Sequence, residues 1–525
     1  MFETVICGGR VIDGTGSAPF SADIGVQDGK IAAIGHNLQG LKRIDATGYT
    51  VTPGFIDIHR HGDAEVFRKG FGELELKQGL TSIINGACGL SLAPFGQAHR
   101  NELLRYLAPV TGDLDPQIPT DSIGAYLAAL KNLPLHVGMM VGGGTVRTDV
   151  CGYQATDPEN FGEIHRRLEK ALSEGALAVS LGLGYAPECF YSTKSLINAL
   201  LPLKNTQIPI AVHLREEGDM VCEAIEEMIE VATALHCPLH ISHLKAMGKR
   251  NWRKNIPRAL EIMSRARENG LDITCDVYLY EAGSTQLLHL LPPDLLEGGV
   301  DGICRRLAKP EVRDALRERI KNAHDFDNIA QMVGWDNIII SSLPSEKYKP
   351  LIGKTMFEIA DLLNTDPTDA LCTLLCDERC AVTMIDRINC EDDIRMILKD
   401  PFASVISDAT YPIGGMPHPR VYATYARLIE TYVCKEQVLT LPEAIGKITS
   451  LPAQSMRIKN KGILAVGMDA DINIFKPEEV RARASFDAPR QHSEGMHYVL
   501  VAGKPAIENG ICTHLTPGTI LHRNA

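Results

Sequence analysis

The spacing of apolar and polar positions divides the chain into three parts. Over residues 1–52, short β-type runs alternate with Gly-Gly and Asp-Gly pairs, a pattern that favours hairpins. Residues 463–475 and 497–505 return to the same pattern. Between them, short apolar runs alternate with amphipathic helical segments, which is typical of parallel βα units.

Eight apolar runs in the central part predict eight parallel strands, and the economical architecture is a (β/α)8 TIM-like barrel in an α/β fold. The predicted strands are 54–58, 82–85, 136–140, 178–181, 210–212, 239–242, 272–276 and 404–407. We expect a small β-sandwich built from both termini, with residues 1–52 and 455–525 flanking a barrel over residues 53–454. The long interval before the eighth strand predicts an inserted subdomain at about 290–343 that covers the barrel mouth.

Composition narrows the class of protein without identifying it. The chain has 525 residues and a formal charge of −12, which argues against nucleic acid or an anionic membrane as the main partner. Its start has no secretory pattern, and no apolar run could span a bilayer, so a cytoplasmic location is expected. The 14 cysteines are scattered, which favours reduced, buried thiols. Cys372, Cys376 and Cys380 are spaced for one helix face, but no histidine or CxxC accompanies them.

Chemistry-bearing residues recur where the predicted strands end. His59 and His61 are two apart, so in an extended segment they face one side and can chelate one metal ion, zinc being the preferred candidate. Further candidates follow the second, fifth, sixth and eighth strands, namely Cys88, His213, His243 and Asp408. Because strand carboxyl ends meet at one face of a barrel, we predict a shared metal site.

These residues lie in motifs that resemble the D-aminoacylase (N-acyl-D-amino-acid deacylase) family of the amidohydrolase superfamily. The matching segments are residues 51–63, 77–94, 180–187, His213-Leu-Arg-Glu-Glu-Gly218, 240–248, Ser407-Asp408 and His418-Pro-Arg420. The resemblance covers nearly the whole chain. It implies zinc-dependent hydrolysis of a linear amide, giving a carboxylate and a free D-amino acid.

The resemblance also implies roles for individual residues. A tight zinc would be held by Cys88, His213 and His243, and a second, weaker site by His59 and His61. Asp408 would be the general base and acid, with Asp57 and Asp63 orienting the histidines or fixing the turn. Lys245, Tyr280 and Arg395 match positions that hold the substrate α-carboxylate, and Tyr185 matches one that touches the scissile carbonyl. His418 and Arg420 are expected to be structural or to contact the lid.

Family members that take acidic D-amino acids carry an arginine shortly after the motif of the seventh strand, whereas residues 281–304 contain no Lys or Arg. The resemblance therefore implies a neutral or apolar substrate side chain, although Glu281 could instead select a basic one. Alternatives are a cyclic-amide hydrolase of the hydantoinase or dihydroorotase type, a dipeptidase for D-amino-acid-containing dipeptides, and an inactive scaffold. The segment 178–185 lacks the metal-bridging lysine of many amidohydrolases, which argues against the first. Oligomeric state does not follow from the sequence.

Overall fold

A computed structural model describes residues 1–523 and shows a mixed α/β fold. Its strands are β1 Phe2–Val11, β2 Phe20–Gln27, β3 Lys30–Gly35, β4 Gly40–Asp45, β5 Thr50–Pro53, β6 Phe55–Asp57, β7 Leu80–Asn85, β8 His136–Met139, β9 Val141–Gly142, β10 Val179–Gly182, β11 Ile210–His213, β12 Leu239–Ile241, β13 Ile273–Val277, β14 Gly283–Gln286, β15 Ile338–Ser342, β16 Thr383–Asp386, β17 Ala403–Val405, β18 Ile472–Phe475, β19 Met496–Val501, β20 Lys504–Glu508 and β21 Ile511–Cys512.

The helices cover the parallel strands and fill the long interval before β17. They are α1 Glu73–Leu76, α2 Arg100–Thr111, α3 Ile123–Ala129, α4 Gly143–Cys151, α5 Gly162–Ser173, α6 Thr193–Ala199, α7 Val221–Leu235, α8 Asn255–Glu268, α9 Gly299–Leu307, α10 Pro310–Asn322, α11 Ile329–Val333, α12 Met356–Leu363, α13 Pro367–Asp377, α14 Glu391–Lys399, α15 Arg420–Arg427, α16 Leu441–Ile448 and α17 Ser450–Ser455. A π-helical turn, Leu428–Lys435, continues α15. Within residues 1–523, no helix is both long and apolar enough to cross a membrane.

The central strands pair in parallel in two sheets. One has the order β6-β7-β8, and the other has the order β17-β13-β12-β11-β10-β9. Only Met140 separates β8 from β9, and a parallel bridge between Arg60 and Ala409 joins the segments that follow β6 and β17. The eight strand positions agree with the sequence predictions to within about two residues, because each strand is a short, fully buried run.

Both termini contribute to one nine-stranded sheet. Its path is β21-β20-β19-β18-β5-β1-β2-β3, with β4 beside β1, and β18 pairs antiparallel with β5. Side chains from the strands of this sheet, among them Ile24, Val51 and Ile472, form a separate apolar cluster. The Gly8-Gly9 pair does not form the hairpin that its pattern favours, because it lies within one strand, β1, which contains a bulge between Ile6 and Gly9.

The interval between β13 and β17 is larger than the predicted insert. It contains helices α9 to α14 and a three-stranded antiparallel sheet in the order β14-β16-β15. Leu291, Leu296 and Phe326 from this interval line the cavity at the strand ends. The insert therefore forms one wall of that cavity.

Candidate metal centre and active site

The predicted metal ligands converge at the carboxyl ends of the parallel strands. His59 and His61 follow β6, Cys88 follows β7, His213 ends β11 and His243 follows β12. All five are buried, with relative exposures between 1% for His59 and 9% for His213. The tertiary fold thus brings together side chains that are far apart in the sequence.

The Cys88 thiol lies between the imidazole of His59, which follows β6, and that of His243, which follows β12. Its Sγ is 3.2 Å from His59 Nε2 and 3.3 Å from His243 Nε2, and His213 Nδ1 is 3.0 Å from His243 Nε2. The donor atoms of His59, Cys88 and His243 lie within 4.8 Å of one another. A sulfur and several imidazole nitrogens at this spacing fit a zinc ion.

Asp408 faces the same histidines from the end of β17. Its Oδ1 is 3.3 Å from His61 Nε2 and 3.5 Å from His59 Nε2, while Oδ2 is 2.9 Å from Arg420 Nη1. Burial raises the pKa of this carboxyl, but Arg420, the hydrogen bond from His61 and the charge of His59 outweigh burial and hold the pKa well below its ordinary value. Asp408 is therefore a carboxylate beside the metal ligands.

The same balance applies to Cys88. Burial raises the pKa of the thiol, whereas the imidazoles of His59 and His243 outweigh burial and hold the pKa well below its ordinary value. Since the thiolate is the form that binds metals, the electrostatic field already favours the ligating state.

Three of the site residues have left-handed backbone conformations. Cys88, His243 and Asp408 have φ values of 53°, 36° and 48°. A non-glycine residue there costs on the order of 1–3 kcal/mol, and such residues cluster at functional sites. Each directs its side chain from a strand end into the shared centre.

Asp57 and Asp63 take the second of the two roles expected for them, and other carboxylates contact the histidine rings. Asp57 bonds to Arg60 and Ser407, and Asp63 accepts the backbone N–H groups of Gly86 and Leu92, so both fix turns. Asp276, at the inner side of β13, is 3.6 Å from His59 Nδ1 and 2.8 Å from His240 Nε2. Carboxylates in this position fix the orientation of metal-binding imidazoles.

Glu217 has a comparable position on the other side of the centre. Its Oε1 is 3.0 Å from His243 Nδ1 and 2.7 Å from Lys245 Nζ, and its Oε2 is 3.6 Å from His213 Nε2. Its position four residues after His213 did not indicate this role. Neither Glu216 nor Glu217 stood out, because the sequence does not show which of the two turns inward.

Two of the four predicted substrate contacts lie in the cavity. Lys245 and Tyr185 line it together with His213, and the Tyr185 ring centroid is 4.2 Å from that of His213. Arg420 and Tyr278 also line the cavity, and the Arg420 guanidinium carbon is 4.7 Å from the Tyr278 ring centroid. These two residues were not predicted to contact substrate.

Tyr280 and Arg395 do not line the cavity. Tyr280 packs against His418 and lies under the Arg427 guanidinium, 4.9 Å away. Arg395 lies on the outer face of α14 and pairs with Glu436 at 2.8 Å. The amphipathic helix directs Arg395 to solvent, so its predicted contact with a substrate carboxylate is not supported. Arg420, in the quoted His418-Pro-Arg420 motif, takes the inward position instead.

Comparisons with known proteins identify the family of the chain. The family model Amidohydro_3, described as "Amidohydrolase family", matches residues 391–507. N-acyl-D-glutamate deacylase of Alcaligenes xylosoxydans xylosoxydans is 31% identical over 533 residues, covering 100% of this chain and 97% of that protein. D-aminoacylase of the same organism is 29% identical and covers 100% and 98%.

A solved structure gives the same result for the fold. N-acyl-D-glutamate deacylase from Bordetella bronchiseptica, complexed with zinc and a phosphonate inhibitor that mimics the tetrahedral intermediate, matches with a TM-score of 0.83. The match has 28% identity and covers 99% of both chains. The chain belongs to the D-aminoacylase family of amidohydrolases, enzymes that hydrolyse amides.

Proposed function

We propose that this protein is a zinc-dependent deacylase that hydrolyses N-acyl-D-amino acids to a carboxylate and a free D-amino acid. The observation that carries the proposal is the placement of Asp408 between His59, His61 and Arg420 at the base of a cavity that also contains Lys245. A proton-transferring carboxylate, two of the proposed metal ligands, His213 and His243, and two cations for a substrate carboxylate thus line one cavity.

We assign one tight zinc to Cys88, His213 and His243, and a second, weaker site to His59 and His61. The thiolate and imidazole donors fit zinc, and the contact of Cys88 with His59 as well as His243 places the sulfur next to both sites. When bound, zinc acts as a Lewis acid that polarises an amide carbonyl and lowers the pKa of a water molecule.

Asp408 moves the proton. As a carboxylate it accepts a proton from the water that attacks the carbonyl carbon, and it then donates that proton to the departing amine nitrogen. Arg420 holds the Asp408 Oδ2 at 2.9 Å and leaves Oδ1 directed at the histidines. Tyr185, whose ring packs at a tilt against those of His213 and His289, orients the scissile carbonyl.

Lys245 and Arg420 bind the α-carboxylate, with Tyr278 in place of Tyr280. Each of the three lines the cavity, and the Tyr278 hydroxyl has no hydrogen-bond partner among residues 1–523. A buried hydroxyl without a partner is costly, so a ligand oxygen would satisfy it.

The preferred side chain is neutral or apolar. Leu183, Leu291, Leu296, Phe326 and Ile329 provide apolar lining. The remaining cation of the lining, Arg215, is already paired with Glu227 at 2.9 Å, so it is not free to hold a D-Glu or D-Asp side chain.

The proposal also includes the predicted barrel and the predicted module built from both termini. The two parallel sheets form one (β/α)8 barrel over residues 53–454, closed through the Arg60 to Ala409 bridge. The terminal sheet is a β-sandwich module composed of residues 1–52 and 455–525. The cyclic-amide alternative remains less favoured, since β10 and the turn after it, residues 179–185, contain no lysine.

The test is amine release from a panel of N-acetyl-D- and N-acetyl-L-amino acids with apolar, acidic and basic side chains. Zinc-loaded and chelated protein are compared. Chelator-sensitive turnover of the D-substrates alone, fastest with apolar side chains, is the expected result. Turnover of hydantoins or dihydroorotate but of no linear D-amide would overturn the proposal, as would equal rates for both enantiomers.

A further inference from the structure

Three cysteines that the proposed reaction does not use meet in the insert. Cys304 lies on α9, Cys376 lies on α13, and Cys380 follows the end of α13. Cys304 and Cys376 contact each other's helices through their side chains, and the thiols of Cys376 and Cys380 both influence the pKa of the Cys304 thiol. Two neighbouring thiols beside one cysteine are a chemical arrangement that simple packing does not require.

The backbones of the two helices also approach at this point. Cys304 Sγ lies 3.8 Å from the Leu375 carbonyl oxygen, and Cys376 Sγ lies 3.8 Å from the Cys304 carbonyl oxygen. These reciprocal contacts place the Cys304 and Cys376 side chains between α9 and α13. Cys380 is reached differently, through a left-handed turn at Arg379 and Cys380.

The Cys304 thiol is accessible and lies beside Arg379, whose charge is partly offset by its ion pair with Asp301. It lines an open surface cleft together with Asp301, Arg305 and Arg379. Hydrogen bonds from the Cys376 and Cys380 thiols lower the Cys304 pKa, burial opposes them, and the charge of Arg379 assists them. The same hydrogen bond raises the pKa of Cys376. One thiolate beside a protonated thiol is the arrangement of a peroxide-sensitive pair.

We propose that Cys304 is a hydroperoxide-reactive cysteine and that Cys376 resolves it to a disulfide. The Cys304 thiolate attacks one oxygen of a hydroperoxide, the O–O bond breaks, and the leaving oxygen departs as an alkoxide or hydroxide that takes up a proton. Cys304 becomes a sulfenic acid. The Cys376 sulfur then attacks the Cys304 sulfur, the S–O bond breaks, and water leaves with the Cys376 proton. Two thiols are oxidised and one hydroperoxide is reduced.

The disulfide would join α9 to α13 covalently. The segment that leads into α9 contributes Leu291, Pro293 and Leu296 to the cavity wall. The site is nevertheless separate from the metal ligands, so its test does not depend on the proposed deacylase activity.

In the experiment, the zinc-loaded, full-length protein is treated with hydrogen peroxide at a concentration equal to that of the protein. The remaining thiols are then alkylated, and the peptides are mapped by mass spectrometry. A Cys304–Cys376 linked peptide is expected, formed well before Cys434 is modified. Cys434 is the exposed comparison, since its Sγ contacts only the Pro477 carbonyl oxygen among the described residues.

Two serine variants separate the steps. Cys376→Ser is expected to stop at a Cys304 sulfenic acid that dimedone traps, whereas Cys380→Ser still forms the Cys304–Cys376 link. Unmodified Cys304 at the peroxide dose that oxidises Cys434 would overturn the proposal. A link from Cys304 to Cys380 in the unsubstituted protein would overturn the assignment of Cys376.

Discussion

Two clusters of buried charge lie close together near the ends of β6 and β17, and they differ in how completely they are paired. In the first cluster, Arg60 Nη1 is 3.1 Å from Asp57 Oδ2 and Arg60 Nη2 is 2.7 Å from Glu75 Oε1. Asp57 also accepts the backbone N–H of Ser407 at 3.2 Å. Both terminal guanidinium nitrogens therefore have a carboxylate partner inside the protein.

The second cluster is only partly paired. Arg420 Nη1 faces the single carboxylate of Asp408, and Nη2 donates only to the Ser284 carbonyl oxygen at 3.3 Å, so one terminal nitrogen has a carboxylate partner where Arg60 has two. The Nε atoms of both arginines and the Tyr278 hydroxyl have no hydrogen-bond partner among residues 1–523. Arg420 and Tyr278 line the cavity. A buried network in which each charge has a partner stabilises the fold, whereas hydrogen-bond donors without a protein partner beside a cavity mark a position where a ligand can bind.

The largest effect should come from Asp408→Asn. The amide cannot accept the proton from water, so kcat should fall by about 10³-fold or more, within the range of general acid–base catalysis. Zinc content, measured by elemental analysis of the purified protein, should stay near that of the unsubstituted chain. Asp325→Asn is the control, because Asp325 lines the cavity but pairs with Arg319. Near-normal kcat in Asp408→Asn would remove Asp408 from proton transfer.

Arg60→Met tests the first cluster. It leaves Asp57 and Glu75 buried without their cation, and breaking such a pair costs about 3–5 kcal/mol of the free energy of unfolding. Denaturant unfolding of the zinc-loaded protein measures this loss. The kcat of the protein that remains folded should change far less than in Asp408→Asn. A loss below about 1 kcal/mol, the range of a surface ion pair, would show that the network is not structural.

Arg420→Met tests the second cluster. Removing a charged hydrogen-bond donor to the substrate costs about 1.5–3 kcal/mol, or roughly 10- to 150-fold in kcat/KM for an N-acyl-D-amino acid. Arg395→Met is the matched control and should leave kcat/KM unchanged, because Arg395 pairs with Glu436 outside the cavity. The opposite ranking of the two variants would restore the assignment predicted from the sequence.

Glu217→Gln should have the smallest effect of the four. The substitution keeps the shape but removes the charge that Lys245 and His243 share, so zinc affinity should fall by about tenfold. Competition with a chromogenic chelator measures the affinity without reference to turnover. Unchanged zinc affinity would restrict Glu217 to positioning Lys245, and KM alone would then rise.

The chemistry at the strand ends could be predicted because it depends on local pattern. His59, His61, Cys88, His213, His243 and Asp408 each lie at or just after a short apolar run, and parallel strands bring such positions to one edge. The spacing of the apolar runs therefore located both the strands and the candidate ligands. Family resemblance then supplied the proposed roles.

The partners of these residues were decided by the tertiary structure alone. Asp276 faces His59 across neighbouring strands, and Arg420 rather than Arg395 enters the cavity, since the segment between Asp408 and α15 folds back over the strand ends. Likewise, the sequence placed Cys376 and Cys380 on one helix face, whereas the structure sets Cys380 beyond α13 and brings Cys304 from another helix to both. Contacts between distant segments depend on how loops and helices pack, and the periodicity of a single segment carries no record of them.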